Sequence, residues 1–343
     1  MNTKHDKDYD AGGRRVMTKQ RRSLVLVGIV GALALLATPA WSHPAADGSR
    51  HEIIVQPDGD KDHNRPEHGS LGSIGAKLAD PTANIWALQL NFQGPTFYDG
   101  DLNTGSPKVG GNVIFQPVMP IPLYGSGKDQ WKLLMRPVIP IIFSQPIPDP
   151  AAGTDAFDHI GGLGDIELPL LLNPSARMLG HWIFAAGPVF EFPSATNTKL
   201  GANQYSVGPA VVLGYKTEKW TALVFPNYFF GIGSQSDRTA ANATTSKLSL
   251  LYSFAYNLPG AWQVGINPTI AYNHNASSGN QWTVPVGLFV AKTIELGGIP
   301  TKIEGVLEYA VVSPNAFGQR ANFRIVVTPV IPSLIQKSIL GGN

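Results

Sequence analysis

The side chains able to do chemistry are few and unevenly placed. There is no cysteine, which excludes a disulfide scaffold, thiolate metal sites and a cysteine nucleophile. Four of the eight histidines, His43, His51, His63 and His68, share one polar stretch with Asp58, Asp60, Asp62 and Glu67. Imidazoles and carboxylates together can hold Zn²⁺ or Cu²⁺, but no pair here has the spacing of a closed site. The stretch reads as a solvated linker, and no metal or other cofactor is expected. His274 lies beside Ser277 and Ser278, yet nothing in that spacing orients an imidazole towards a serine nucleophile. Gly161-Gly162-Leu163-Gly164-Asp165 is glycine-rich but lacks the Lys-Ser/Thr of a phosphate loop, so it reads as a turn entering a strand. No catalytic residue is assigned, and an enzyme is not expected.

A second set of charges is more orderly. Lys132, Arg136, Asp165, Glu167, Glu191, Lys247, Lys302, Glu304, Glu308 and Arg324 are five of each sign, scattered through otherwise apolar segments. Each by itself reads as a member of an ion-pair network. Together they outline the polar face of something larger, a lumen along which a small solute could pass.

The elements that would position them are strands. In 84–93 the side chains of Trp86, Leu88, Leu90 and Phe92 alternate with Ala87, Gln89, Asn91 and Gln93, the period-two pattern of a strand with one wet face. The pattern recurs and predicts twelve strands, at 84–93, 111–121, 130–142, 164–172, 181–192, 204–216, 219–230, 246–258, 261–273, 281–293, 300–311 and 320–331. In 246–258, Leu250, Phe254 and Tyr256 oppose Lys247, Ser249 and Ser253. The clearest strands run ten to thirteen residues, enough to cross hydrocarbon when tilted. Trp86, Phe92, Trp131, Trp182, Phe192, Trp220, Trp262, Tyr272 and Trp282 collect at strand ends, which predicts two interfacial girdles. Connections alternate long and short. The fold class expected is therefore all-β: a closed antiparallel transmembrane barrel of twelve strands with long loops at one end. His181 would then open a strand at the short-loop end. Prolines inside nine of the strands run against ordinary sheet chemistry and predict bulges or kinks. Seven of them fall in the outward register, Pro169 and Pro285 being the exceptions.

The rest of the chain supplies an address. Lys19, Arg21 and Arg22 precede a 14-residue apolar run, 23–36, and Ala40-Trp41-Ser42 places small residues before His43. This is the pattern of a signal peptide over 1–42, with Met17 an alternative start. The net charge is +2, but the leader holds seven Lys/Arg against three Asp, so the remainder is slightly acidic. Nucleic acid is thereby excluded as a partner on charge. Residues 43–78 are expected to be a flexible polar arm, 79–331 the barrel and 332–343 a tail.

Several stretches, read in order, resemble a bacterial outer-membrane family. They are Asp80-Pro81-Thr82, Phe115-Gln116-Pro117-Val118, Trp131, Arg136-Pro137-Val138-Ile139-Pro140, Gly162-Leu163-Gly164-Asp165, Gly187-Pro188, Val207-Gly208-Pro209-Ala210 and Val284-Pro285-Val286-Gly287. The family is that of the transporters named for the phenol-degradation meta-pathway, often mislabelled neuromedin U. The resemblance covers about 78–331. It implies a barrel in the outer membrane of a Gram-negative cell that passes small, hydrophobic or aromatic molecules. Both termini would be periplasmic, and the partners would be outer-membrane lipid, the solute and the barrel assembly machinery, with the barrel a monomer. The alternative is a non-conducting structural or adhesive barrel; a lipid-modifying enzyme is a third reading.

Overall fold

The computed structural model describes residues 70–153, 155–233 and 245–341. The leader and the arm histidines lie outside the described residues. Fifteen strand segments form one sheet: β1 Trp86–Asp99, β2 Lys108–Tyr124, β3 Trp131–Met135, β4 Ile139–Pro148, β5 Phe157–Leu163, β6 Ile166–Asn173, β7 Trp182–Phe192, β8 Tyr205–Lys216, β9 Trp220–Ile232, β10 Ser246–Leu258, β11 Trp262–Ile266, β12 Thr269–Asn273, β13 Trp282–Leu296, β14 Ile299–Val312 and β15 Gly318–Ile331. Every pairing is antiparallel, and β1 pairs with both β2 and β15, which closes the sheet on itself. β3 and β4 are halves of one strand, as are β5 with β6 and β11 with β12, so the barrel has twelve staves. Closure leaves no unpaired edge.

The three breaks fall at Arg136-Pro137-Val138, Gly164-Asp165 and Asn267-Pro268, two of them at proline as expected. Other prolines stay within the ladder. Pro188 lies directly opposite Pro209, and each follows a glycine. A Cβ on Gly187 would collide with the carbonyl oxygen of Leu170, and one on Gly208 with that of Tyr228. Glycine lets the neighbouring carbonyl settle against the Cα where proline withholds its N–H, a weak C–H···O contact in place of a ladder bond. Pro268 is fully buried at its break.

Alternation decides which face is which. On β10, Phe254, Tyr256 and Leu258 are exposed while Ala255 is buried; on β7, Trp182 and Phe184 are exposed while Ile183 and Ala185 are buried. Aromatic rings band the outer surface at both ends. Trp182, Tyr215, Trp220 and Phe254 form a chain with centroids 5.2, 5.7 and 6.1 Å apart at the short-loop end. Phe192 meets Tyr205 at 6.3 Å and Tyr272 meets Trp282 at 4.4 Å at the other. Trp86 is a correction. It is 5% exposed, and its Nε1 donates to the Pro120 carbonyl at 3.2 Å, so it belongs to the packing and not to a girdle.

The segment before the first strand is also more ordered than a flexible arm. Leu71–Leu78 is a helix, α1, whose N-cap Ser70 accepts from the Ser73 N–H. Its apolar face is buried at Ile74 and Gly75, and Gly75 packs so closely on Thr293 of β13 that a Cβ would collide with the threonine hydroxyl. The chain then crosses the short-loop end. Lys132 donates to the Thr82 carbonyl at 2.6 Å, and Lys216 pairs with Asp80 at 2.5 Å. The tail docks at the same end, with Ile339 and Leu340 N–H groups donating to Pro122 and Leu123 carbonyls at 3.1 and 2.8 Å. Among the described residues no helix is long and apolar enough to cross a membrane, a statement that does not concern strands.

At the long-loop end, the loop after β1 is clasped to the loop after β4. The Asp155 carboxylate accepts from the Thr104 N–H at 2.5 Å and from its hydroxyl. These bonds hold the Asp155 carboxyl below its ordinary pKa, the hydroxyl contributing most and the backbone N–H next.

Candidate functional site

The barrel encloses a cavity of about 330 Å³, at the lower end of the range of small-molecule pockets. Residues 77–85 form its floor, and Leu78, Ala79 and Pro81 face it. A second space of about 410 Å³, lined by short-loop residues with Lys132 and Lys216, shares Lys77, Asp80 and Ala83 with the first. The crossing segment therefore separates the two.

The wall of the main cavity has two characters. One side is amide-rich, with Gln89, Asn91 and Gln93 from β1, Gln116 from β2, and Asn227 and Asn267 further round. The other is apolar. Leu134, Leu171, Val189, Val212, Leu223, Phe225 and Leu251 line the cavity there, and they share one buried cluster with Ile183, Ala185, Ala210 and Phe229. This inner apolar wall is not foreseen by the alternation reading, which assigns amides to the inward face. Its signal is nonetheless in the sequence: 166–172 (IELPLLL) and 182–192 (WIFAAGPVFEF) hardly alternate, as segments apolar on both faces do not.

The ten charges fall into groups. Lys247 pairs with Glu191 and lies 3.8 Å from Glu167; Glu167 and Glu191 are cross-strand neighbours, so one ammonium serves two carboxylates. Lys247 also sits 4.9 Å above the Phe229 ring. Lys302 pairs with Glu304 at 3.0 Å and Arg324 with Glu308 at 2.6 Å. Asn267 joins those two pairs, donating to Glu304 at 2.6 Å and accepting from Arg324 at 3.0 Å. Arg136 faces the cavity from the break between β3 and β4, donating through one nitrogen to Gln89 at 2.9 Å and Gln116 at 3.1 Å. Lys132 belongs to the floor. Asp165 stands apart from the wall: buried at the break between β5 and β6, it accepts from the Ala195 and Ala202 N–H groups at 3.1 and 2.5 Å and anchors the following loop.

The histidines contribute little to a reactive site. His181 Nδ1 lies 3.2 Å from the Lys216 carbonyl, and His274 meets Tyr272 edge to face with centroids 6.2 Å apart. Ser144 and His159 share a 2.9 Å hydrogen bond near the long-loop end, a pair that sequence spacing does not reveal because two strands bring it together. Among the described residues no third group is hydrogen-bonded to His159 to orient its imidazole as a base. Among the described residues no cluster of three or more metal-ligating side chains occurs.

No family model matches the sequence, and no curated protein matches it either. Solved structures match the fold. A crystal structure of an outer-membrane channel from Pseudomonas putida F1 aligns with a TM-score of 0.51 at 14% identity, over 72% of this chain and 96% of that one. At that identity the likeness is one of fold. The NanC porin aligns over 71% of this chain and 98% of its own, with a TM-score of 0.42 at 12% identity. Outer-membrane phospholipase A from Escherichia coli does so over 76% and 99%, with a TM-score of 0.37 at 11% identity. These last two are too distant to bear on what this chain does.

Proposed function

We propose that the chain is an outer-membrane channel for the passive passage of small molecules, hydrophobic or aromatic ones among them. The observation that carries the reading is the cavity inside a closed barrel, with an apolar wall facing an amide-rich one. Ions and water do not need a wall of leucine, valine and phenylalanine; a small organic solute does, because apolar surface removed from water stabilises it by about 25 cal/mol per Å². The exposed apolar residues of the outer surface, the aromatic bands and the leader pattern support an outer-membrane location with periplasmic termini and a monomeric barrel. The resemblance to the phenol-degradation transporters points to the same solute class. Lys247, Lys302, Glu304, Glu308 and Arg324 would then line the path as neutralised pairs.

A second reading rests on one observation. The segment 77–85 lies across the short-loop end, so a barrel in which it never moves would be structural. Planar-bilayer recording decides between the two, together with solute uptake by cells. The channel reading expects single-channel currents from protein that fractionates with the outer membrane and shifts its gel mobility on heating. No current and no uptake, even after deletion of 43–70, would establish the structural reading.

A further inference from the structure

Arg136 differs from Lys302 and Arg324, the other strand-borne cations that line the cavity: Lys302 has Glu304 and Arg324 has Glu308. Arg136 makes no ion pair among the described residues; its partners are two neutral amide oxygens, both on the same nitrogen. Its Nε is buried with no acceptor at all. A guanidinium carries five N–H donors in a planar fork, so most of its bonding capacity is unspent. Glu167, on the adjacent stave, lies 3.8 Å from Lys247 and makes no ion pair or hydrogen bond with Arg136 among the described residues. A cation partly withdrawn from water and met only by dipoles carries a desolvation cost, and that cost falls when an anion arrives. The fork suits a carboxylate in particular, which it can take with two parallel bonds.

What surrounds Arg136 limits which carboxylate. Leu134 stands two residues earlier on the same face of the same stave, and it pairs across to Leu171. Pro169, Val189 and Leu223 continue the apolar wall of the same cavity. We propose that Arg136 anchors a binding site for small amphipathic monoanions, aliphatic or aromatic carboxylates, whose charged end it holds while their apolar part lies on Leu134, Leu171, Val189 and Leu223. The proposal rests on the channel reading for its biological sense, and it narrows the solute class from neutral apolar compounds to organic acids. A hydrophobic wall alone would favour benzyl alcohol over benzoate, whose charge is costly to take out of water; a wall with an unpaired arginine beside it reverses that order.

The test uses the full-length folded barrel in detergent and three probes: sodium benzoate, benzyl alcohol and sodium sulfate. Calorimetric titration of the wild type should show benzoate binding about tenfold or more tighter than either of the others, about 1.4 kcal/mol or more. Arg136→Gln, which keeps the hydrogen bonding but not the charge, should weaken benzoate by about tenfold or more and leave benzyl alcohol unchanged. Arg136→Lys should fall between, since a point charge replaces the fork. Heat-modifiable mobility verifies that each variant is folded, and the comparison of probes on the wild type needs no variant. Equal binding of benzoate by wild type and Arg136→Gln overturns the proposal. So does sulfate binding as tightly as benzoate, which would mark a bare anion site. Channel current with no Arg136-dependent binding removes this inference and leaves the channel standing. Arg136-dependent benzoate binding by a barrel that carries no current and takes up no solute does the reverse.

Discussion

Arg324 and Glu308 are 11% and 7% exposed and 2.6 Å apart, so each depends on the other for its charge. Breaking such a pair from one side strands a buried ion and costs about 3–5 kcal/mol, whereas replacing both partners by apolar groups can be nearly neutral. Arg324→Met should therefore lower the unfolding free energy of the vesicle-embedded barrel by about 3 kcal/mol, and the double change Arg324→Met with Glu308→Leu should recover most of it. Denaturant titration in lipid vesicles reads both. Equal losses in single and double variants would mean that the pair is solvated and contributes little. Lys199 and Asp158, exposed by 48% and 46%, offer the contrast: Lys199→Ala should leave the midpoint where it was, because water screens the pair. The sequence places Arg324 and Glu308 on inward positions by alternation alone. It does not tell that they meet, nor that Arg136 lacks a carboxylate, because partners across staves depend on register and stagger. Asp165 shows the limit most plainly. Its position in an alternating segment suggests the lumen, yet it satisfies two backbone N–H groups of the next loop.

Loops and segments around the barrel follow different rules from its staves. The clasp between Thr104 and Asp155 joins the loop after β1 to the loop after β4 through a charged acceptor. Its hydrogen bonds depress the Asp155 pKa from the ordinary value of 3.8. A depressed carboxylate contributes stability that is fully present above its unfolded value and is lost as pH falls through the lower folded one. Between pH 5 and 8 the clasp should therefore hold. As the pH drops below the ordinary value it should open, raising hydrogen exchange across 100–107. Asp155→Asn should abolish that acid step. An identical step in the variant would assign the transition to another group. The loop alternation that predicts this end of the barrel is legible in the sequence, since glycine, proline, asparagine and aspartate cluster between the apolar runs. The clasp is not, because it brings together residues about fifty positions apart. The helix over Leu71–Leu78 was hidden for a related reason. Eight residues form too short a helix to be stable by themselves, and its apolar face acquires meaning only against Thr293 and Gln263.

At the scale of the whole molecule, a barrel has one inside and one outside, and each residue must choose. Leu250 and Phe254 share the outward register of β10, with Phe254 40% exposed, while Ser253 lines the cavity. Lysine facing lipid at mid-depth costs about 2–4 kcal/mol. Leu250→Lys should impair folding into bilayers, Phe254→Lys should do so less because it lies in the aromatic band of the short-loop end, and Ser253→Lys should not, as read by the heat-modifiable band after vesicle insertion. Equal tolerance at all three positions would reverse the faces. That outcome is decided almost entirely by sequence: period-two alternation in most of twelve strand-length segments, with long and short connections in turn, has few physical solutions other than a closed antiparallel barrel. Composition likewise decides what the molecule lacks, since no thiolate chemistry is open to a chain without cysteine. Three things required the tertiary structure. Segments 166–172 and 182–192 carry apolar residues on both faces, and only the curvature of the closed wall shows that the inner ones merge into a single apolar surface. Trp86 has the spacing of a girdle residue, but packing buries it. The crossing of 77–85 beneath the cavity depends on Asp80 and Thr82 meeting Lys216 and Lys132 from distant staves. Local pattern specifies which way a side chain points along its own strand. What stands opposite is specified by closure, because the barrel alone brings strands far apart in sequence to face one another across the lumen.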